Sequence, residues 1–458
     1  MRSELLLVSS FLLVAAATAR AQTLTEDQLE DVKARLAEGA TQSWEIGTRA
    51  EALLEADTPT YSVLNDAVAL PPPPPGQAPS SLEEVIGIAR SVVATRAGNN
   101  VQGPQPLVET GTAGDPPSIG VAVLLANWTG AGERDGQDYA GAAEDQLRFL
   151  LEKTPRTEDG AISHRSEQVQ LWSDFVYMVP PFLAYYGVLT DNDTLIQEAY
   201  DQCRLYRQYL VDEDAGGLWK HIVLGKYNDN GHWSTGNGWA AAGMLRVLGT
   251  IQYSSYAEQF ESQAEDLTDW VSEIHDAIYP HLRTNGLFGN YADDSASFND
   301  AASTAILAST VYRLALLTGI DTHVADAERS REALFAPASN SSTGSPAGSA
   351  LAHFTWDMWL TPVVNPDAFG EEGKESPEGQ AFVVELHAAY RAWAGLDAGK
   401  FTDSGEPQAQ GAGRSSFDTP GANVAFDSPG SNGAMRIEVG AVLRWIGMGV
   451  GLALLWWP

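Results

Sequence analysis

Three stretches of this chain bring together residue types that perform acid–base chemistry on a polar substrate. The first is Leu171-Trp172-Ser173-Asp174-Phe175-Val176-Tyr177-Met178-Val179-Pro180-Pro181-Phe182-Leu183, where one aspartate stands among large apolar residues. A carboxyl group there loses hydration and its charged form is disfavoured. Asp174 is therefore expected to titrate high and to act as an acid. Ser173 or Asp174 is equally suited to cap a helix. The second stretch is Gly217-Leu218-Trp219-Lys220-His221, followed by Gly231-His232-Trp233-Ser234-Thr235-Gly236-Asn237-Gly238-Trp239. Glycines on both sides of Asn237 let the backbone approach a ligand and start the next helix. Trp219, Trp233 and Trp239 offer flat faces of the kind sugar rings stack on. As core aromatics, with Asn237 as a cap, they would serve structure alone. His221 and His232 suit a loop edge equally well. The third stretch, Glu109-Thr110-Gly111-Thr112-Ala113-Gly114-Asp115-Pro116-Pro117-Ser118, sets Asp115 just before a helix, as a second carboxylate or as a turn residue.

Several other chemistries are excluded. Lys+Arg number 27 against Asp+Glu 60, a formal net charge of −33, which opposes nucleic acid or anionic lipid as a general partner. Cys203 is the single cysteine, so neither a disulfide framework nor a cysteine-based zinc site is available. It lies near Leu205 and Tyr206 on a helical pattern and reads as a packing residue. No His-x-x-x-His, Gly-x-Ser-x-Gly or Gly-x-Gly-x-x-Gly pattern occurs, and neither a metal nor a cofactor is expected. Carboxylates beside tryptophans in a helical chain favour an oligosaccharide substrate.

The elements that position these residues are helical. Apolar residues recur at three- and four-residue spacing in Leu29–Leu36, Leu82–Val93, Ile119–Leu125, Tyr139–Leu151, Val169–Tyr186, Leu195–Leu210, Trp239–Tyr253, Phe260–Ile278, Ala302–Leu317, Ala325–Leu334, Leu351–Leu360 and Ala381–Trp393. There is no βαβ alternation. Twelve helices of similar length, with alternating short and long connections, predict an all-α fold, the (α/α)6 barrel of six hairpins. A helical solenoid is disfavoured because no strict period is present. Chemistry is expected at the mouth where the inner helices begin.

The ends read differently. Residues 1–21 have the layout of a secretory signal peptide, with Arg2, an apolar run from Leu5 to Ala17, and Ala19-Arg20-Ala21. Residues 22–398 form the expected catalytic domain. Residues 399–434 are Gly/Ser/Pro-rich, as in a linker. Residues 435–458 end in an apolar tail after a small-residue run and a mixed spacer, the layout of a GPI-attachment signal. A secreted monomer, held to a membrane or cell wall through this tail, is the expectation. Asn127, Asn192 and Asn340 start N-glycosylation triplets.

Trp172-x-Asp174-x-x-x-Met178, Gly217-Leu218-Trp219-x-His221 and Trp233-Ser234-Thr235-Gly236-Asn237-Gly238-Trp239, in this order and spacing, resemble glycoside hydrolase family 105, the unsaturated rhamnogalacturonyl hydrolases. The related family 88, the unsaturated glucuronyl hydrolases, is similar. The resemblance covers roughly residues 80–396. It implies an (α/α)6 barrel, no metal, and hydration of the C4=C5 double bond that a polysaccharide lyase leaves in a terminal uronic acid. An acid protonates C4, water adds at C5, and the hemiketal opens with loss of the glycosidic bond. By the same resemblance Asp174 is the acid/base and Asp115 the second carboxylate. His221, Trp172, Trp219, Trp233, Thr235, Asn237 and Trp239 take substrate-binding positions. Thr235 stands where bacterial members commonly have an arginine that binds the anionic substrate. Lys220, His221, His232 and Arg165 are the candidate replacements. Two other readings are an (α/α)6 endo-α-mannanase using the adjacent pair Asp293-Asp294, and a wall-binding protein without turnover.

Overall fold

A computed structural model describes residues 23–65, 69–72, 78–97, 103–338 and 350–396. The leader, the linker, the C-terminal tail and Asn340 lie outside the described residues. Twelve helices of nine residues or more alternate between an outer and an inner layer. The outer ones are α1 (Glu26–Gly39), α3 (Glu83–Ala97), α5 (Tyr139–Arg148), α7 (Asp193–Leu210), α9 (Glu261–Ile278) and α11 (Val324–Leu334). The inner ones are α2 (Ser43–Asp57), α4 (Gly120–Trp128), α6 (Pro180–Leu189), α8 (Ser234–Gln252), α10 (Ala301–Thr318) and α12 (Pro377–Trp393). Each inner helix packs on the next and α12 packs back on α2, so the ring closes. Outer helices lie against it, α7 on α6, α9 on α8 and α11 on α10. This is the expected (α/α)6 barrel. Inner helices are apolar nearly all round because both layers cover them. α10 is long and apolar enough to cross a membrane, yet 78% of it is buried in this ring.

Two expected elements differ. Leu351–Leu360 is a looped segment held by bridges Pro337↔Leu351 and Phe354↔Leu360. Its apolar residues reach the core from turns, and Met358 has φ +71°, outside a right-handed helix. The helix not anticipated is α2. Its Glu51 and Glu55 look like a solvent face in sequence, but both are buried. The stretch expected as one helix, Val169–Tyr186, is strand β1 (Leu171–Trp172), one turn at Phe175–Met178, and α6. Pro180 and Pro181 remove two amide donors at that break.

The buried glutamates belong to a polar knot inside the ring. Arg246 on α8 places Nη2 2.6 Å from Glu55 Oε1 and 2.9 Å from Glu385 Oε1 on α12, with Nε 3.6 Å from Glu51 Oε2. Arg313 on α10 reaches Glu55 Oε2 at 2.9 Å. The Tyr177 hydroxyl donates to Glu385 at 2.6 Å, and its ring lies under the Arg246 guanidinium. Three carboxyls thus face two guanidiniums, and one proton restores neutrality. Burial pushes Glu51 up to about 7 against the pull of Arg246, and does the same to Glu385. Such a carboxyl binds its proton more tightly when folded. Its stabilising contribution is full below the unfolded value of 4.5 and is lost as pH rises through about 7. Glu51→Gln mimics the protonated form. Its melting temperature is expected to match wild type at pH 5 and to exceed it at pH 8, by up to about 3 kcal/mol in stability. Equal melting at pH 8 would place the proton elsewhere.

Five of the six connections entering inner helices, residues 98–115, 149–174, 211–233, 279–300 and 335–376, are long, and the one entering α2, residues 40–42, is short. Most of those leaving them are short. The long ones carry four two-stranded ribbons. β1 pairs with β4 (Ile222–Val223), and β2 (Val211–Asp212) with β3 (Leu218–Trp219). β5 (Phe288–Gly289) pairs with β6 (Asn299–Asp300), and β7 (Val363–Asn365) with β8 (Ala368–Gly373).

Candidate active site

The long connections meet around Trp172, on β1. His164 stacks on its face with centroids 4.9 Å apart and planes 17° from parallel. His221, Tyr227 and Phe369 meet the ring edge-on at 5.4, 6.2 and 6.3 Å. Each histidine brings a carboxyl. His164 Nε2 is 3.3 Å from Asp115 Oδ1, and His221 Nε2 is 3.6 Å from Asp174 Oδ2. The two aspartates singled out from the sequence are therefore both in one aromatic-centred cluster.

Backbone pairing brings them there. Ser173 N–H donates to the His221 carbonyl at 2.9 Å, and β1 pairs with β4 directly beside it. This ties the aspartate-bearing segment to the histidine-bearing one. Thr112 and Arg165 form a bridge, and the amides of Ala113 and Gly114 donate to the His164 carbonyl at 2.7 and 3.0 Å. A side chain at Gly114 would collide with the His164 ring, so glycine is required there. Thr112 Oγ1 donates to Asp115 Oδ2 at 2.7 Å, which orients that carboxyl.

The surroundings of Asp174 are more polar than its sequence neighbours suggest. Its carboxyl is 16% exposed, with Ser173 Oγ at 3.2 Å and the His221 ring beyond it. The bulky neighbours Phe175, Val176 and Tyr177 point into the core instead. Beneath this region lies Glu378, near the start of α12, fully buried and with Oε1 unpartnered. Burial, reinforced by Glu45, Asp174 and Asp300, raises its carboxyl well above the usual range. A carboxyl that resists ionisation thus sits beside the acidic site.

The Gly-Asn-Gly-Trp segment proves to be scaffolding. Asn237 is fully buried. Its Oδ1 accepts from Trp219 N–H at 2.9 Å, and its Nδ2 donates to the carbonyls of Trp219 and Trp233. Thr235 is also buried and donates to Asp300 Oδ2 at 3.1 Å. Asp300 in turn caps α10 through Ser303 N–H at 2.8 Å and accepts from Val364 N–H at 2.9 Å. Gly236 is pressed against Ser173 Oγ, leaving no room for a Cβ. Trp239 is enclosed between Tyr177 and Phe382, and Trp219 is 2% exposed. None of Thr235, Asn237, Trp219 and Trp239 presents a surface to a sugar, which corrects their reading as substrate contacts. Trp233 is buried one layer down, 4.4 Å from the His221 ring, with Nε1 donating to Asn290. Trp172 and His221 lie in the aromatic cluster itself.

The alternative pair Asp293-Asp294 is exposed on a loop. Asp293 holds His232 Nδ1 at 2.8 Å, and Asp294 accepts from Ala296 N–H. Both serve that loop's structure. Sequence reasoning missed His164, Tyr227, Asp229 and Phe369. His164 lies ten residues before Asp174 with nothing local to mark it. Asp229 lies eight residues beyond His221 in an Asn-Asp-Asn-Gly run, which by itself signals a turn. Phe369 comes from the β7–β8 ribbon, a segment without a helical or strand pattern.

The fold and site define a class: a six-hairpin toroid with carboxyl–histidine pairs around a tryptophan at the inner-helix entrance. Comparison narrows it. Residues 120–335 match the model of Glycosyl Hydrolase Family 88. The chain is 24% identical over 182 residues to the unsaturated rhamnogalacturonyl hydrolase YesR of Bacillus subtilis, covering 38% of this chain. That match spans about half the length (51%) of the relative. Among solved structures, a possible glycoside hydrolase family 105 member from Klebsiella pneumoniae superposes with a TM-score of 0.59 at 15% identity, covering 80% of this chain and 93% of that one. A second possible member, from Salmonella enterica serovar Paratyphi A, gives 0.57 at 17% identity, covering 80% and 94%. These likenesses agree with the closed ring of hairpins described above.

Proposed function

We propose that this chain is a glycoside hydrolase that hydrates the C4=C5 double bond of a terminal unsaturated uronic acid, with Asp174 as general acid and base. The observation that carries this reading is the partly exposed Asp174 carboxyl, set between Ser173 and His221 at the edge of Trp172. The match to the family 88 model and to a relative named for this type of substrate supports it. Asp174 gives its proton to C4 as the double-bond electrons form the C4–H bond, and positive charge develops at C5. Water adds at C5 and its released proton returns to Asp174. The resulting hemiketal opens and the glycosidic bond is lost. Trp172 supplies a flat apolar face for the ring, and Asp115 with His164 lines the opposite side.

The substrate's carboxylate calls for a cation. Of the four candidates, Lys220 pairs with Asp212 at 3.0 Å, His232 with Asp293, and His221 with Asp229. Among the described residues Arg165 has no acidic partner, and Tyr227 feels both its charge and that of Asp174. Arg165 is therefore the residue that receives the uronate, taking over from the arginine replaced by Thr235. Loss of a charge-assisted hydrogen bond is worth about 1.5–3 kcal/mol. Arg165→Met is expected to raise KM roughly 10- to 100-fold with kcat little changed; an unchanged KM would remove Arg165 from this role.

The reaction itself is tested by mixing purified protein with lyase digests of rhamnogalacturonan and of other glycuronans. The conjugated uronate absorbs in the ultraviolet, and its band is expected to decay. A stable band on every digest would sink the reading. With the leader and tail read from the sequence, we place this activity outside the cell.

A further inference from the structure

We infer that Asp229 is a positioning residue that fixes His221 in the tautomer whose Nε2 lone pair faces Asp174, so that the two share the transferred proton. The inference rests on the reading of Asp174 as the acid. Asp229 Oδ2 accepts from His221 Nδ1 at 2.9 Å and from the Tyr291 hydroxyl at 2.7 Å, while Oδ1 accepts from Gly231 N–H at 3.0 Å. Three donors converge on this one carboxylate. Burial works against its ionisation, yet the hydrogen bonds from His221 and Tyr291 outweigh burial and hold it below the ordinary range. An ionised Asp229 has no proton to donate, so the neutral His221 ring must carry its hydrogen on Nδ1.

The ring has no freedom to turn away. Trp233 lies 4.4 Å from it on one side, and Phe369 meets it edge-on at 4.5 Å. Asp229 is itself fixed by paired backbone hydrogen bonds with Ile222, at 2.8 and 2.9 Å. His221 is 1% exposed, and its Nε2 has no hydrogen-bond partner. A buried, unpartnered nitrogen aimed at a carboxyl 3.6 Å away is a polar group left for a step of the reaction. Separations of this size in a site without substrate commonly tighten on binding. When Asp174 is protonated, its O–H points to Nε2. When Asp174 has given its proton to C4, Nε2 takes the proton released by the attacking water and passes it back to Asp174, which restores both groups.

Two measurements on the full chain test this. In nitrogen-15 spectra of histidine-labelled protein, with His221 assigned by its loss in His221→Gln, the wild-type ring is expected as the Nδ1–H tautomer. Asp229→Asn is expected to shift it toward Nε2–H. A wild-type Nε2–H tautomer overturns the proposal whether or not the protein turns over a substrate. On a lyase-generated oligosaccharide, Asp229→Asn is expected to lower kcat on the order of tenfold or more, with KM within a few-fold, and Asp229→Glu to recover part of the loss. Wild-type kcat in Asp229→Asn also overturns it. If the wild type consumes no unsaturated uronide, the functional reading fails and the tautomer measurement alone decides the role of Asp229.

Discussion

Asp174→Asn is expected to abolish turnover of unsaturated uronides on the proposed mechanism, with kcat falling by about 10³-fold or more. General acid catalysis by a placed side chain contributes roughly 10² to 10⁴. The expected loss lies in the upper part of that range because protonation at carbon is slow and the neighbouring carboxyls, Asp229 and Asp115, already face His221 and His164. Asparagine keeps the side chain's shape and still offers an oxygen to Ser173 Oγ, which is 3.2 Å from the native carboxyl. Substrate affinity is therefore expected to change by a few-fold at most, and the melting temperature not at all. The measurement is the decay of the conjugated-uronate band under saturating substrate. Retention of more than a tenth of the wild-type rate would show that another group supplies the proton, and Asp115 with His164 would be examined next.

The largest expected effect on stability is at Arg246, inside the ring. Arg246→Met leaves Glu55 and Glu385, both 2% exposed, with Arg313 as the one remaining guanidinium. Breaking a buried pair by removing one partner costs about 3–5 kcal/mol, because the remaining charge stays buried without compensation. The cost falls as pH is lowered, since Glu51 and Glu385 already titrate up to about 7 and take up protons readily. Urea unfolding at pH 8 is the measurement, and a loss under 1 kcal/mol would refute the account. A second replacement, Glu385→Gln, is expected to restore part of the stability by removing one of the stranded carboxylates.

The pattern of apolar residues carried much of the architecture. Eleven of the twelve helices expected from spacing coincide in whole or part with helices of the ring. The failures have separate causes. Helix α2 carries Glu51 and Glu55 on a face that spacing assigns to water, and only the arrival of Arg246 and Arg313 from distant helices makes that face an interior one. The reverse holds for residues 351–360, where apolar residues reach the core from turns rather than from one helical stripe.

The site divides in the same way. The resemblance of three motifs to a known family singled out Asp174, Asp115, Trp172 and His221, and the structure sets the four in one cluster. What these residues do to one another was decided by tertiary structure. Asn237 and Thr235 read as ligand contacts, yet spend their polar groups on Trp219 and Asp300. His164, Asp229 and Phe369 enter from three separate connections, and no local pattern signals that they converge. Backbone pairing across residues 112–165 and 173–221 sets the distances between carboxyl and imidazole. Those distances, rather than the residue types alone, set each of the two carboxyls against an imidazole.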